Sequence, residues 1–367
     1  MDNDNNIIRT DEATEQIYEP EIVKPPLKFG RLYGKMTWLF SSIAVMIIAV
    51  NIFAVIAMMA VRYYFPELEQ TNWYETVLNS VAFYFVGVPI AAIMLLFSRP
   101  DTAVDSIRSK TKLTFGKWMK YLCMAFAFMY AGNWVGNIVT GVLGLIVGHS
   151  IENPVASALD GASWIISTIS MVIIAPIFEE LLFRKLLIDR MQQYGEKTAI
   201  IASALAFGLV HGNFSQFFYA FGVGLLFGYV YCKTKNIWYT ISFHMIINGV
   251  CGILTGYISS KIDYEEYSSV LESIGKQLSN EEAMELVAKL GKYLIPMIAL
   301  GVISLVVFGA AVTGIVFFAK GIKNISLEGC KYDISAKNVR IAAYANVGII
   351  ILYAIMAISF ITSIIYY

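Results

Sequence analysis

The sequence predicts an all-α fold: a polytopic transmembrane helix bundle of about nine spans with its N-terminus inside. Three observations lead there. Hydrophobic residues make up 57% of the 367 positions and charged residues only 15%, with a mean hydropathy of +0.64. The charges leave long gaps of membrane-spanning length. The Lys and Arg residues then fall unequally on the two sides of those gaps. A soluble domain carries about 25% charged residues, so the composition excludes a soluble enzyme, a disordered chain and a disulfide scaffold. Lys plus Arg and Asp plus Glu both number 27, so no basic field attracts nucleic acid. Cys123, Cys232, Cys251 and Cys330 are far apart and read as buried apolar thiols, with neither zinc spacing nor a disulfide frame.

The gaps define the elements in order. No Asp, Glu, Lys or Arg occurs in 36–61, 76–98, 121–151, 161–178, 198–232, 236–260, 293–319 or 341–367. A helix needs roughly 20 apolar residues to cross the hydrocarbon layer, and seven of these gaps fit one span each. Segment 198–232 is too long for one helix and is interrupted by His211-Gly212-Asn213. It reads as two spans, giving nine, with a re-entrant pair as the open alternative. With residues 1–36 placed as a cytoplasmic polar tail, 21 Lys and Arg residues fall on inner segments and five on outer ones, the asymmetry of an N-in, C-out cell-membrane protein. The tail begins polar and acidic and has no signal-peptide pattern, so the first span reads as an uncleaved anchor.

The chain then divides into three N-terminal helices in 37–160, a polar-motif core in 161–256, an outer segment in 257–292 and two helices in 293–367. In the outer segment, Ser279-Asn280-Glu281-Glu282 reads as a capping box opening a short amphipathic helix with Met284, Leu286, Val287 and Leu290.

The core contains charges that a bilayer disfavours. Glu179 and Glu180 follow an 18-residue charge-free stretch, and an intramembrane carboxylate costs on the order of 3 kcal/mol. Glu180 and Arg184 are i and i+4, with the Glu N-terminal, the better orientation for an ion pair. Glu179 is turned about 100° away and lines up with Phe183, so it is left for chemistry. Pro176, three residues earlier, should locally open the helix.

Only three histidines occur, and two lie in apolar runs. His211 ends Phe207-Gly208-Leu209-Val210-His211, and His244 shares a helix face with Asn248. Taken singly, such a His or Asn is an ordinary interhelical hydrogen bonder; three neighbouring helices each carrying polar groups point beyond that. The turn between the first two helices should fall at Tyr194-Gly195. Glu179 and His211 each stand 16 residues from Gly195, roughly 24 Å at the helical rise, hence level. His244 joins them only if that hairpin projects further into the cytoplasm. His149 reads as an interfacial side chain.

Glu179-Glu180-x-x-x-Arg184, Phe207-x-x-x-His211 and His244-x-x-x-Asn248, in that order on separate apolar helices, resemble the motifs of the CAAX protease and bacteriocin-processing (CPBP, or Abi) intramembrane proteases. The flanking Ala175-Pro176 and Phe183 fit as well. Lys185 and Gly212-Asn213 depart from the commoner pattern without touching a motif position. The resemblance covers roughly 161–256 and implies hydrolysis of a peptide bond in a membrane-associated protein or peptide. It implies Glu179 as general base, His211 positioning or sharing the proton, and His244 with Asn248 as oxyanion donors. Glu180 and Arg184 would hold the motif helix and the substrate terminus. No cofactor is required by that scheme. A zinc-dependent version with Glu179, His211 and His244 as ligands stays open, as does a non-catalytic bacteriocin immunity or binding protein. A proton-coupled transporter, a third class, would be expected to show a repeated half, and none is visible. Lipids and a peptide or protein substrate are the expected partners; oligomeric state is not encoded in any visible pattern.

Overall fold

The computed structural model describes residues 24–98, 111–151, 153–154, 159, 162–273, 276 and 279–366. Most of the polar tail, together with Arg99, Arg108, Lys110 and Gly161, lies outside the described residues. The described chain is helical with no strand; one isolated bridge pairs Pro26 with Asp333. The helices are α1 Phe29–Tyr64, α2 Tyr74–Phe97, α3 Phe115–Val147, α4 Trp164–Tyr194, α5 Glu196–Leu209, α6 Phe214–Thr234, α7 Ile237–Ser259, α8 Tyr264–Ser273, α9 Asn280–Gly321, α10 Ala336–Tyr344 and α11 Val347–Tyr366.

Eight of these, α1–α4, α6, α7, α9 and α11, are long and apolar enough to cross a membrane. The ninth anticipated span is α5, which exists but has 14 residues, about 21 Å of rise against a hydrocarbon layer of about 30 Å. It stops at the turn His211-Gly212, where Gly212 takes φ +71°. Asn213 then caps α6 by accepting from the Gln216 amide at 2.9 Å. The two polar residues that break the gap therefore end α5 mid-bundle, which delivers His211 to the interior.

Two further expectations are corrected. The Ser279–Glu282 capping box is present, with reciprocal bonds, but it opens no separate short helix. Nothing after Leu290 stops the turns, Pro296 is accommodated, and the amphipathic stretch runs on into the span as one 42-residue helix. The last gap is also not one helix. It is split at Ala345–Asn346, where fully buried Asn346 bonds the Ala342 carbonyl through Nδ2 and accepts from Ile349 N through Oδ1. The cysteines are all free, but only Cys232 is buried.

Packing produces two apolar clusters. One joins α1, α2, α4, α5, α10 and α11 with one face of α6; the other joins α3, α6, α7 and α9. Helix α3 approaches α6 through Gly132-x-x-x-Gly136, where a Cβ at Gly132 would collide with the backbone of Phe218 and Tyr219. Small residues at this spacing let helices touch without a hydrophobic driving force, as in lipid. Outward faces stay apolar: Ile56, Leu145 and Ile295 are exposed.

The α4–α5 turn is buried at Gln192, Gln193 and Tyr194. Gly195 has φ +110°, and segment 325–333 wraps the turn. Glu196 N donates to Glu328 O at 2.9 Å, and Lys331 N to Gln193 O at 3.0 Å.

Candidate active site

At the seam of the two clusters lies a cavity of about 320 Å³, well above what one water molecule needs. Glu179, His211, His244 and Asn248 all line it; Glu180 and Arg184 do not. The helical offset between the two glutamates is thus realised in space.

Glu180 and Arg184 lie behind the cavity, both with fully buried side chains. Arg184 Nε is 3.0 Å from Glu180 Oε2, an ion pair whose angle does not qualify as a hydrogen bond. The guanidinium is sandwiched by aromatic rings, 4.4 Å from the Phe207 centroid and 5.5 Å from that of Phe227, so π-faces stand where hydrogen-bond acceptors are lacking. The other Glu180 oxygen meets His244 Nδ1 at 3.1 Å. A carboxylate held by Arg184 can only accept, so Nδ1 carries hydrogen. His244 Nε2 then faces Glu179 Oε2 at 3.7 Å, beyond a direct hydrogen bond and within reach through one solvent molecule.

His211 Nδ1 lies 2.8 Å from the Phe207 carbonyl. A carbonyl only accepts, so this nitrogen is the N–H and Nε2 of the neutral ring is an acceptor. Phe207 packs edge-on against both imidazoles, at 5.1 Å from His211 and 5.9 Å from His244. It therefore spaces the two histidines and shields Arg184. Asn248 donates from Nδ2 to the Met171 carbonyl at 2.8 Å, leaving its second amide hydrogen for the cavity.

Widened helical turns aim these groups. Segments Val81–Gly87 of α2, Ile169–Ile174 and Leu181–Ile188 of α4, and Asn248–Leu254 of α7 are π-helical. Such insertions re-aim side chains and recur at functional sites. Pro176 lies two residues past the first α4 segment, in the α-helical turn Ala175–Glu180 that carries Glu179.

Three cavity residues escape the sequence reading. Tyr84 donates to Glu179 Oε1 at 2.8 Å; it looks like an ordinary aromatic in an apolar span, and the partner is 95 positions away. Gln216 and Tyr219 follow His211, and here a signal existed: Asn213-x-x-Gln216 is a helix-cap pattern. Asn213 Nδ2 donates to Gln216 Oε1 at 2.7 Å, which turns Gln216 Nε2 toward the Tyr219 oxygen at 3.1 Å. The phenol is an acceptor in that bond, so its own hydrogen is free to serve the cavity. Among the described residues, no three His, Cys, Asp or Glu side chains converge as a metal-holding group. Glu179, His211 and His244 line the same cavity without being grouped as a three-ligand set.

The helices thus form a multi-pass integral membrane bundle with Glu179, His211, His244 and Asn248 lining one cavity. Residues 161–250 match the model of the Rce1-like family, the type II CAAX prenyl endopeptidases. Over 170 residues the chain is 26% identical to YdiL of Bacillus subtilis (strain 168), named as a membrane peptidase, covering 45% of this chain and 66% of that protein. Over 84 residues it is 33% identical to the membrane-embedded CAAX protease MroQ of Staphylococcus aureus (strain USA300), covering 21% of this chain and 34% of that one. The matches thus span just under two thirds of the first relative and about a third of the second. No solved structure matches. The matched core is thus similar to type II CAAX prenyl endopeptidases and to membrane proteins named as peptidases.

Proposed function

We propose that the protein is an intramembrane endopeptidase that hydrolyses a peptide bond of a membrane-associated protein or peptide. The observation that carries this reading is the sorting of the motif residues: Glu179, His211, His244 and Asn248 line one cavity, while Glu180 and Arg184, fully buried, do not. The names of the relatives point the same way.

In this scheme Glu179 removes a proton from water while His211 Nε2 accepts from the same molecule, and the water oxygen bonds to the substrate carbonyl carbon. Negative charge moves to the carbonyl oxygen, where His244 Nε2–H and the second Asn248 amide hydrogen donate. For His244 to donate there, its ring carries both hydrogens, and Glu180 and Glu179 flank that positive charge. The tetrahedral centre then collapses, the C–N bond breaks, and the proton held by Glu179 passes to the leaving amine. Removing one oxyanion donor typically lowers a rate by about 10²–10³. Tyr219, with its hydroxyl oriented by Gln216 and its ring 6.3 Å from that of His211, adds a further donor.

The test is a peptide profile of membranes from cells with and without the protein. Peptides that appear only with the wild type should vanish with Glu179→Ala and with His211→Ala, while both variants accumulate as folded membrane protein. Peptides that persist with both variants would overturn the catalytic reading. Metal analysis of the purified chain with chelator treatment bears on zinc: stoichiometric zinc lost together with activity would replace the metal-free scheme.

A further inference from the structure

A second cavity, separate from the candidate active site, has a chemistry that neither the motifs nor the relatives address. It measures about 460 Å³ and lies among α3, α5, α6, the end of α9 and the segment just past it. Its interior is apolar, with Met124, Phe128, Leu225 and Phe318 as walls. Lys120 and Lys197 also line it, together with Tyr121 and Tyr229.

The position of the mouth follows from the helix ends. Lys120 lies in the second turn of α3 and Lys197 in the first turn of α5. Tyr229 lies near the end of α6, and Asn324 just past the end of α9. All these termini gather at the lysine-rich end of the bundle. From Lys120 to Phe128 is eight residues, roughly 12 Å of descent into the membrane. The cavity is therefore apolar at acyl-chain depth and cationic at headgroup depth.

The two lysines also differ from their neighbour Lys233. Lys233 is paired with Glu196 at 2.8 Å, which removes that carboxylate from Lys197. Neither Lys120 nor Lys197 meets a carboxylate among the described residues; Lys120 rests over the Phe317 ring, 5.5 Å from its centroid. Two cations at the rim of an apolar cleft between helices complement one phosphate with a hydrocarbon tail, and basic interhelical pockets of this kind hold anionic lipid headgroups.

We propose that this cavity binds an anionic phospholipid, its acyl chain between α3 and α6 and its phosphate at Lys120 and Lys197. The site is independent of the peptidase reading. It serves as a lipid clamp on the two helices that wall the catalytic cavity, since Met129 and Val223 of that cavity lie on the same α3 and α6.

The test uses the full chain in nanodiscs of phosphatidylcholine with or without a minor fraction of phosphatidylglycerol, with native mass spectrometry of the lipids that stay bound. Wild type should retain phosphatidylglycerol in preference to phosphatidylcholine. Lys120→Gln with Lys197→Gln should lower that retention roughly 30-fold, while Lys120→Arg with Lys197→Arg keeps it. Melting in phosphatidylcholine alone should be the same for all three, since both lysines are at the rim. Leu225→Trp, which fills the chain cavity, should also expel the lipid with both lysines intact. Equal retention of the two lipids by wild type, or a preference that survives the Gln pair, overturns the proposal. Displacement of the lipid by glycerol phosphate alone would also overturn it, by showing a soluble-phosphate site instead.

Discussion

Arg184 shows how much of this bundle's polar chemistry is held by one residue. It balances Glu180, and Glu180 in turn fixes the hydrogen on His244 Nδ1. Removing one member of a buried ion pair strands the other, at a cost on the order of 3–5 kcal/mol. Arg184→Ala should therefore melt well below wild type in detergent, whereas the matched pair Glu180→Gln with Arg184→Met should recover much of the loss. A double-mutant cycle measures the coupling, and additive losses would contradict the pairing. The assignment of Glu180 to Arg184 was legible from i, i+4 spacing because that contact is local. The Tyr84–Glu179 bond was not legible, because it joins α2 to α4 and rests on tertiary packing alone. The Gln216–Tyr219 relay lies between: its cap pattern is local, but its aim into a cavity depends on Gly132 letting α3 come close.

At the scale of elements, the membrane helices declare themselves by the absence of charge, and their ends do not. Hydropathy cannot distinguish a full span from α5, since a 14-residue helix inside a bundle is as apolar as a longer one. It also runs past Asn346, whose break is made by a polar side chain bonded to its own helix end. The outer capping box was legible in four residues, yet the length of α9 was not, because helix termination there depends on a stop signal that is missing. That box predicts a pH effect. The Ser279 amide donates to Glu282 and holds its carboxyl below the usual carboxylate range, reinforced by the Ser279 hydroxyl. Lys292 and then Tyr293 likewise hold Glu266 low where α8 docks on α9. A depressed folded value means the stabilisation is complete above the unfolded carboxylate value of about 4.3 and is lost as pH falls through the folded one. Hydrogen-exchange protection of Asn280–Ala283, corrected for intrinsic rates, should therefore drop below about pH 4 in wild type. It should stay flat in Glu282→Gln, whose amide still accepts from Ser279 but does not titrate. An equal acid response in both would locate the effect elsewhere.

For the whole molecule, charge distribution and fold make one statement. The end of the bundle that carries Lys120, Lys197, Lys233 and Lys320 is the end onto which segment 325–333 and the α4–α5 turn fold. The opposite end carries α8 and the acidic start of α9, with Glu265, Glu266, Glu281 and Glu282. Cationic loops resist translocation whereas acidic ones contribute little, so we propose the lysine-rich end as cytoplasmic and α8 as external. Cysteine labelling with a membrane-impermeant maleimide, in a background with Cys123, Cys232, Cys251 and Cys330 changed to alanine, reads this directly. Glu265→Cys on α8 is exposed and should label in intact cells. Lys337→Cys on α10, also exposed, should label only after permeabilisation. The reverse pattern would turn the bundle over, moving the mouth of the lysine-rimmed cavity to the outer leaflet, and labelling of both in intact cells would show that these two ends share one side.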